Sequence, residues 1–184
     1  MLPTFKLKKM CELTAAINGI NCDEAGGIDT WYAYARYDAA GVDNVATFTQ
    51  AAGAVTALAL EAGKFAYPIN VEQETSSFSD SAVGERGNGS YAREQSATAM
   101  LHGNTDAMIV SVEELAKGRT TLIAKLNDGT YEILFSQFGA KCTDERASGT
   151  SFEDMNGTTL TFAGKETYKA LKISSAIVLA LLQP

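Results

Sequence analysis

Thr120-Thr-Leu-Ile-Ala-Lys-Leu126, Asn127-Asp128-Gly129 and Thr130-Tyr-Glu-Ile-Leu-Phe-Ser-Gln-Phe138 give the clearest fold signal in the chain. Two β-prone runs flank Asp-Gly, the pair that supplies positive φ at the centre of a type I′ turn, so the segment predicts a tight antiparallel hairpin. In that hairpin Leu122, Ala124 and Leu126 face Tyr131, Ile133 and Phe135. Just upstream, Asn104 to Lys117 predicts one helix. Asn104 is a suitable N-cap, Asp106 suits the positive end of the dipole, and Met108, Ile109, Val112, Leu115 and Ala116 share a face. Lys117-Gly118 ends it with a cation and a C′ glycine.

Working outward, the rest of the chain reads as strands and turns. Ile28 to Tyr37 follows Gly26-Gly27 and carries Trp31, Tyr32, Tyr34 and Tyr37, which predicts a core strand with a turn-rich exit over Asp38 to Asp43. Val55 to Leu60 and Phe65 to Val71 are short strand candidates on either side of Glu61-Ala62-Gly63. Phe65, Tyr67, Ile69 and Val71 alternate with Ala66, Pro68, Asn70 and Glu72, a period-two pattern with one wet face, and Pro68 places this strand at an edge or boundary. Ser81 to Gly89 is the most loop-like segment, and strand-like sequence resumes over Ser90 to Leu101. The simplest arrangement is a long hairpin over about 65–102 with a loose tip. Thr158 to Ala163, Lys169 to Ile173 and the apolar run Ala176 to Leu182 complete the strands, the last as a buried terminal strand within a C-terminal extension over about 169–184.

The 184 residues suit one domain, with 46% hydrophobic and 20% charged residues and no internal repeat or linker. A formal net charge of −7 argues against a sequence-independent grip on nucleic acid, which needs cations against phosphates. Lys6, Lys8 and Lys9 are followed by Cys11-Glu12 where a secretion signal needs an unbroken apolar stretch, so the chain is expected to stay in the cytoplasm where it is made. The run ending at Leu182 is too short to cross a bilayer, and no membrane partner is expected. Cys11, Cys22 and Cys142 are odd in number and lack C-x-x-C spacing, which points to reduced thiols rather than a disulfide framework or a zinc site.

The chemical motifs are weak. His102 is the sole histidine, so a triad or a histidine-ligated metal would rest on it alone. Gly84 to Gly89 has the wrong glycine order for a dinucleotide fingerprint, and Gly164-Lys165-Glu166-Thr167 puts Glu166 where a phosphate-binding loop needs Ser or Thr. Asp144-Glu145 and Glu153-Asp154 read as solvated turn charges rather than a calcium site or a hydrolytic pair. Asn88-Gly-Ser90 and Asn156-Gly-Thr158 fit the glycosylation sequon and read as turns. No cofactor, metal or catalytic residue is expected, and a small hydrolase or metal-dependent enzyme built on the acidic turns is the least favoured class.

Cys22-Asp-Glu-Ala-Gly-Gly-Ile28, the helix-Gly-Arg-strand passage from Leu115 to Leu126, and Gly149-Thr-Ser-Phe-Glu-Asp-Met-Asn-Gly-Thr-Thr-Leu-Thr-Phe-Ala-Gly-Lys-Glu166 resemble the tail tube (major tail) proteins of tailed bacteriophages, especially short ones from phages of Bacteroidetes hosts. The resemblance spans roughly residues 10–170. It implies a mainly β fold with one flanking helix, an antiparallel β-sandwich or partly closed barrel. It implies a virion structural protein, a tail tube subunit in stacked hexameric rings through which DNA passes without specific binding. Partners are then other copies and other phage tail proteins, and the place of action is the virion tail after assembly in the host cytoplasm. The segment after Tyr168 is longer and more apolar than the pattern, which favours the alternative of a neck or tail-end adaptor or completion protein forming a single ring.

Two expectations follow for residues. Val83, Gly84, Glu85, Arg86, Gly87, Asn88 and Gly89 form an assembly loop, mobile in the free subunit and ordered between subunits, because so little of it can be buried. Glu72, Glu74 and Glu94 are candidates to face a lumen, where carboxylates discourage a polyanion from sticking, or else are ordinary solvated strand residues.

Overall fold

The structure is a computed structural model that describes residues 26–72, 74–84, 90–103, 105–150 and 156–182. Among these described residues eleven strands and two helices follow in the order β1 (Ile28–Ala35), β2 (Val45–Ala51), β3 (Ala54–Leu60), β4 (Tyr67–Asn70), β5 (Ser77–Val83), β6 (Ala92–His102), α1 (Asp106–Lys117), β7 (Arg119–Leu126), β8 (Tyr131–Leu134), β9 (Ala140–Ala147), β10 (Gly157–Glu166), β11 (Leu171–Ile173) and α2 (Ser175–Leu181). The strands hydrogen-bond along one path, β2-β3-β11-β8-β7-β9-β10-β6-β5, with β1 on β7 and β4 on β1. This is the expected mainly β, sandwich-like architecture with a flanking helix, and the sheet stays open.

The path bends at β7. Its whole length pairs with β1, from Ile28↔Leu126 to Ala35↔Thr120, whereas β9 meets it only at Arg119↔Lys141 and Thr120↔Ala140. Beyond that corner β9-β10-β6-β5 diverges as a second layer. The first core fills the space between layers, with Trp31, Leu122, Ala124 and Leu134 on one side and Ala97, Ala99, Leu160 and Phe162 on the other. The Trp31 ring meets Phe78 edge-on across this space, centroids 6.4 Å apart. A second core lies on the opposite face of β7-β8, where Ile123 and Ile133 pack with Val55, Leu58, Leu171, Ile173, Val178 and Leu181. The hairpin that decides the fold class is thus a wall between two cores, with Thr121, Leu122, Ile123 and Ala124 all fully buried.

Its register differs from the expected one. Leu122 stands opposite Leu134 and Ile123 opposite Ile133. Only Gly129 in the turn has positive φ, at 82°, and Leu126 N–H donates to Thr130 O at 2.9 Å, so three residues rather than two lie in the loop. The Asp128 carboxylate accepts from Thr130 N–H at 2.8 Å and from its hydroxyl at 2.7 Å, which holds this wider turn. One extra loop residue flips every side chain on one arm to the other face. Leu134 therefore joins Leu122 in the first core and Ile133 joins Ile123 in the second, in place of the expected grouping. A tight two-residue turn with both central residues at positive φ does occur, at Ala52-Gly53 between β2 and β3.

Other elements also depart from expectation. The hairpin expected over about 65–102 is only β5-β6, Ser77–Val83 against Ala92–His102, because β4 pairs with β1 instead. Among the described residues β1 is the single neighbour of β4, which accommodates Pro68, and Tyr67 points outward at 55% exposure rather than inward. The C-terminal run is a helix, not a strand. The Ser174 side chain accepts from Ile177 N–H, and Val178 and Leu181, one near-turn apart, are buried in the second core. Helix α1 is capped by Thr105, whose side chain accepts from Met108 N–H, while Asn104 lies outside the described residues. Gly118 ends it in an extended conformation leading straight into β7. Asp144-Glu145 lies within strand β9 rather than a turn.

Candidate assembly surface

The β5-β6 arm is where sequence and geometry leave the most unused bonding capacity. β5 is the last strand of the path, so one side of its backbone faces no strand among the described residues. Its sequence, Ser77-Phe-Ser-Asp-Ser-Ala-Val83, alternates between exposed and partly buried from Ser77 to Ser81. Phe78, Asp80 and Ala82 pair inward with Ala97, Gln95 and Arg93, and Ser77, Ser79 and Ser81 pair outward with Thr98, Ser96 and Glu94. The outer face continues across β10 and β9 in aligned rows, the first of them hydroxyl throughout. Ser77, Thr98, Thr161 and Thr143 form one row over four strands, and Ser79, Ser96, Ala163 and Lys141 form the next. Within the rows Ser77 and Thr98 hydroxyls lie 3.1 Å apart and Ser79 and Ser96 2.9 Å apart, so the hydroxyls satisfy one another and leave a flat, short-chained face.

The inward side of the arm is locked. Arg93 Nε donates to Asp80 Oδ1 at 2.9 Å, and the other Asp80 oxygen accepts from Ala170 N–H at 2.8 Å. The hydrogen bond that Arg93 donates to Asp80, with one to the Tyr91 hydroxyl, raises the Arg93 pKa further and keeps the guanidinium charged. Buried Gln95 accepts from Phe135 N–H at 2.8 Å and donates to Tyr168 O at 3.2 Å, tying the arm to the end of β8 and to the chain after β10. Phe135 sits at φ 57°, and this side-chain amide is what satisfies its backbone there. Glu166 beside it accepts from Gln137 and Phe138 N–H at 2.9 and 3.0 Å. Burial raises the Glu166 pKa, against the opposing pull of those two hydrogen bonds and of Arg36.

At the tip, Val83 pairs with Ala92, and Gly84 has φ 146° with Ser90 O only 2.5 Å from where a Cβ would stand. Only glycine fits this return. Glu85, Arg86, Gly87, Asn88 and Gly89 lie outside the described residues. The three glutamates do not gather. Glu94 is on the outer face opposite Lys165, near the tip end of β6. Glu72 reaches His102 Nε2 at 2.8 Å at the other end, eight residues or roughly 27 Å along the strand, and Glu74 occupies the β4-β5 connection at φ 64°. His102 is taken up in this contact.

Among the described residues no cluster of three or more His, Cys, Asp or Glu side chains has metal-binding geometry. No helix among them is long and apolar enough to cross a membrane. Cys142 is buried against Phe162, and burial raises its thiol to about 11, so it is not a poised nucleophile. Sequence reading found the arm but missed its hydroxyl rows, although the period-two serines at 77, 79 and 81 were a visible signal. Gln95 and Glu166 left none, because their partners lie 40 and 28 to 29 residues away. No protein-family model, curated protein or solved structure matches this chain.

Proposed function

We propose that this protein is a self-assembling structural subunit, a phage tail tube protein whose copies close into hexameric rings and stack around a DNA conduit. The observation that carries the reading is the seven-residue open edge of β5, which has no proline and no outward charge. Proteins that remain single copies blunt such edges with lysine, proline or a covering segment, and an unprotected edge is a template for pairing with another chain. At the other end of the path β2, Val45-Ala-Thr-Phe-Thr-Gln-Ala51, is equally uncharged. Two different edges on one molecule are what a head-to-tail interface needs in order to close a ring. The flat hydroxyl face beside β5, free of aromatic side chains, suits the inner wall of a conduit past which a polyanion slides.

Hexameric number, stacking and the tail as the place of action come from the sequence resemblance. The single-ring adaptor reading rested on the C-terminal segment, and that segment is packed into the second core, so nothing specific favours it. Light scattering of the purified protein over a concentration series tests the proposal. Growth from subunit to ring-sized and larger species supports it, and one subunit-sized species at every concentration with tail-tip proteins added contradicts it.

A further inference from the structure

Glu166, the last residue of β10, is 2% exposed, and none of the ion pairs among the described residues includes it. A buried carboxylate without a paired cation carries a desolvation cost that its hydrogen bonds offset only in part. Those bonds come from the turn between β8 and β9, Phe135-Ser-Gln-Phe-Gly139, which holds no ionisable side chain. Oε2 accepts from Gln137 N–H at 2.9 Å and Oε1 from Phe138 N–H at 3.0 Å, so each oxygen clasps one amide. The turn is tightly bent, with Phe135 at φ 57° and Gly139 at φ 68°. It also anchors the arm, because Gln95 of β6 accepts from Phe135 N–H. Yet it lies at the surface, with Phe138 48% exposed, so a short outward movement takes the carboxylate to water.

Of the charges around it, Arg36, just past β1, is the cation that acts on Glu166. Its Nη2 donates to Asp43 at 2.6 Å, while Nε and Nη1 are buried with no hydrogen-bond partner among the described residues. Arg93, directly opposite Glu166 on β6, is engaged with Asp80. Arg119 of β7 donates to Gly139 O at 3.2 Å. Lys141 of β9 and Lys165, beside Glu166 on its own strand, lie on the outer face.

We propose that Glu166 is a proton-operated latch, which holds the 135–139 turn closed against the arm while protonated and releases it on ionisation. The uncharged carboxyl stays buried at little cost and keeps the bond at its carbonyl oxygen, whereas the ionised group gains by opening to water. The second clasp on this turn, Thr167 N–H donating to the Gln137 side chain at 3.1 Å, is neutral at every pH, so the proton acts through Glu166 alone. Burial raises the carboxyl above its ordinary 4.5 in the closed state. Closure is therefore fully favoured below that ordinary value and is lost as pH rises through the closed-state one.

The test is amide hydrogen exchange of the full chain from about pH 4 to about pH 8, corrected for the intrinsic rate. Gln137 and Phe138 amides should lose protection by up to about tenfold per pH unit between the ordinary and closed-state values, because each opening releases one proton. The Glu166 carboxyl resonance should titrate at the upper end of that window. Amides of β7, which exchange only when the whole fold opens, should stay at least about a hundredfold better protected throughout, marking the opening as local. Glu166→Gln should show no pH dependence of protection, and Arg36→Met, which removes the cation favouring ionisation, should move the midpoint to higher pH. Constant protection in the wild type, the same slope in Glu166→Gln, an unmoved midpoint in Arg36→Met, or turn amides no less protected than β7 would overturn the proposal. None of these readouts depends on whether the protein forms rings.

Discussion

The β7-β8 and β5-β6 hairpins are both antiparallel, yet they stand at opposite ends of a scale. In β7-β8 both faces are buried and Leu122 and Ile123, consecutive residues, serve different cores. In β5-β6 one face is locked inward by Arg93, Asp80 and Gln95, the other carries exposed hydroxyls, and one edge has no neighbouring strand among the described residues. The first hairpin specifies the fold and has nothing left to offer a partner. The second contributes less apolar burial and retains bonding capacity, which is what a surface for other copies requires.

Substitutions can pull this contrast apart. Leu122→Ala in the wall should cost about 3 kcal/mol, through lost transfer energy plus a cavity that two sheets prevent from collapsing, read as a lower urea midpoint with unchanged slope. Gln95→Leu, at the lock between arm and wall, leaves Phe135 N–H without a partner in the core and should cost about 2 kcal/mol in the same experiment. Glu166→Gln tests the lock through pH. Because burial raises the carboxyl above its ordinary 4.5, the wild type binds the proton more tightly folded than unfolded. This contribution to stability is full below the unfolded value and is lost as pH rises through the folded one. A melting series across that window should slope downward with pH in the wild type and flatten in Glu166→Gln.

At the β2-β3 turn, Ala52 is held at φ 50° where an L-residue is strained, so Ala52→Gly should stabilise by about 1 kcal/mol. The smallest expected effect is in the arm. Ser79→Lys with Ser81→Lys should change monomer stability by no more than about 0.5 kcal/mol in urea unfolding, because both side chains already face solvent.

The difference between the hairpins also explains what could be read in advance. Alternating β-branched and aromatic residues around Asp-Gly announce β7-β8 without tertiary information, but its register depends on one residue of loop length that Asp128 decides through Thr130. Ala176 to Leu182 is short and uniformly apolar, so periodicity could not separate strand from helix there, and the cue was the capping serine at 174. Strand β9 hides behind Lys141, Asp144, Glu145 and Arg146, which look like loop until Ala140 and Cys142 are seen in the core. β2 carries Val45, Thr47, Phe48 and Thr49, strand-prone residues whose signal was visible in the sequence, and it pairs with β3 along its length. The β5-β6 arm was legible as strand-like sequence beside a glycine-rich segment. Its lock was not, since Gln95, Phe135, Glu166 and Tyr168 meet only after the sheets have packed.

In the proposed assembly the arm's open edge joins copies. Electron microscopy of the wild type beside Ser79→Lys, Ser81→Lys, at matched concentration and with unfolding curves confirming equal stability, tests it most directly. Closed or stacked rings are expected for the wild type and isolated subunits for the variant. Rings of the same size and number from both proteins would contradict it.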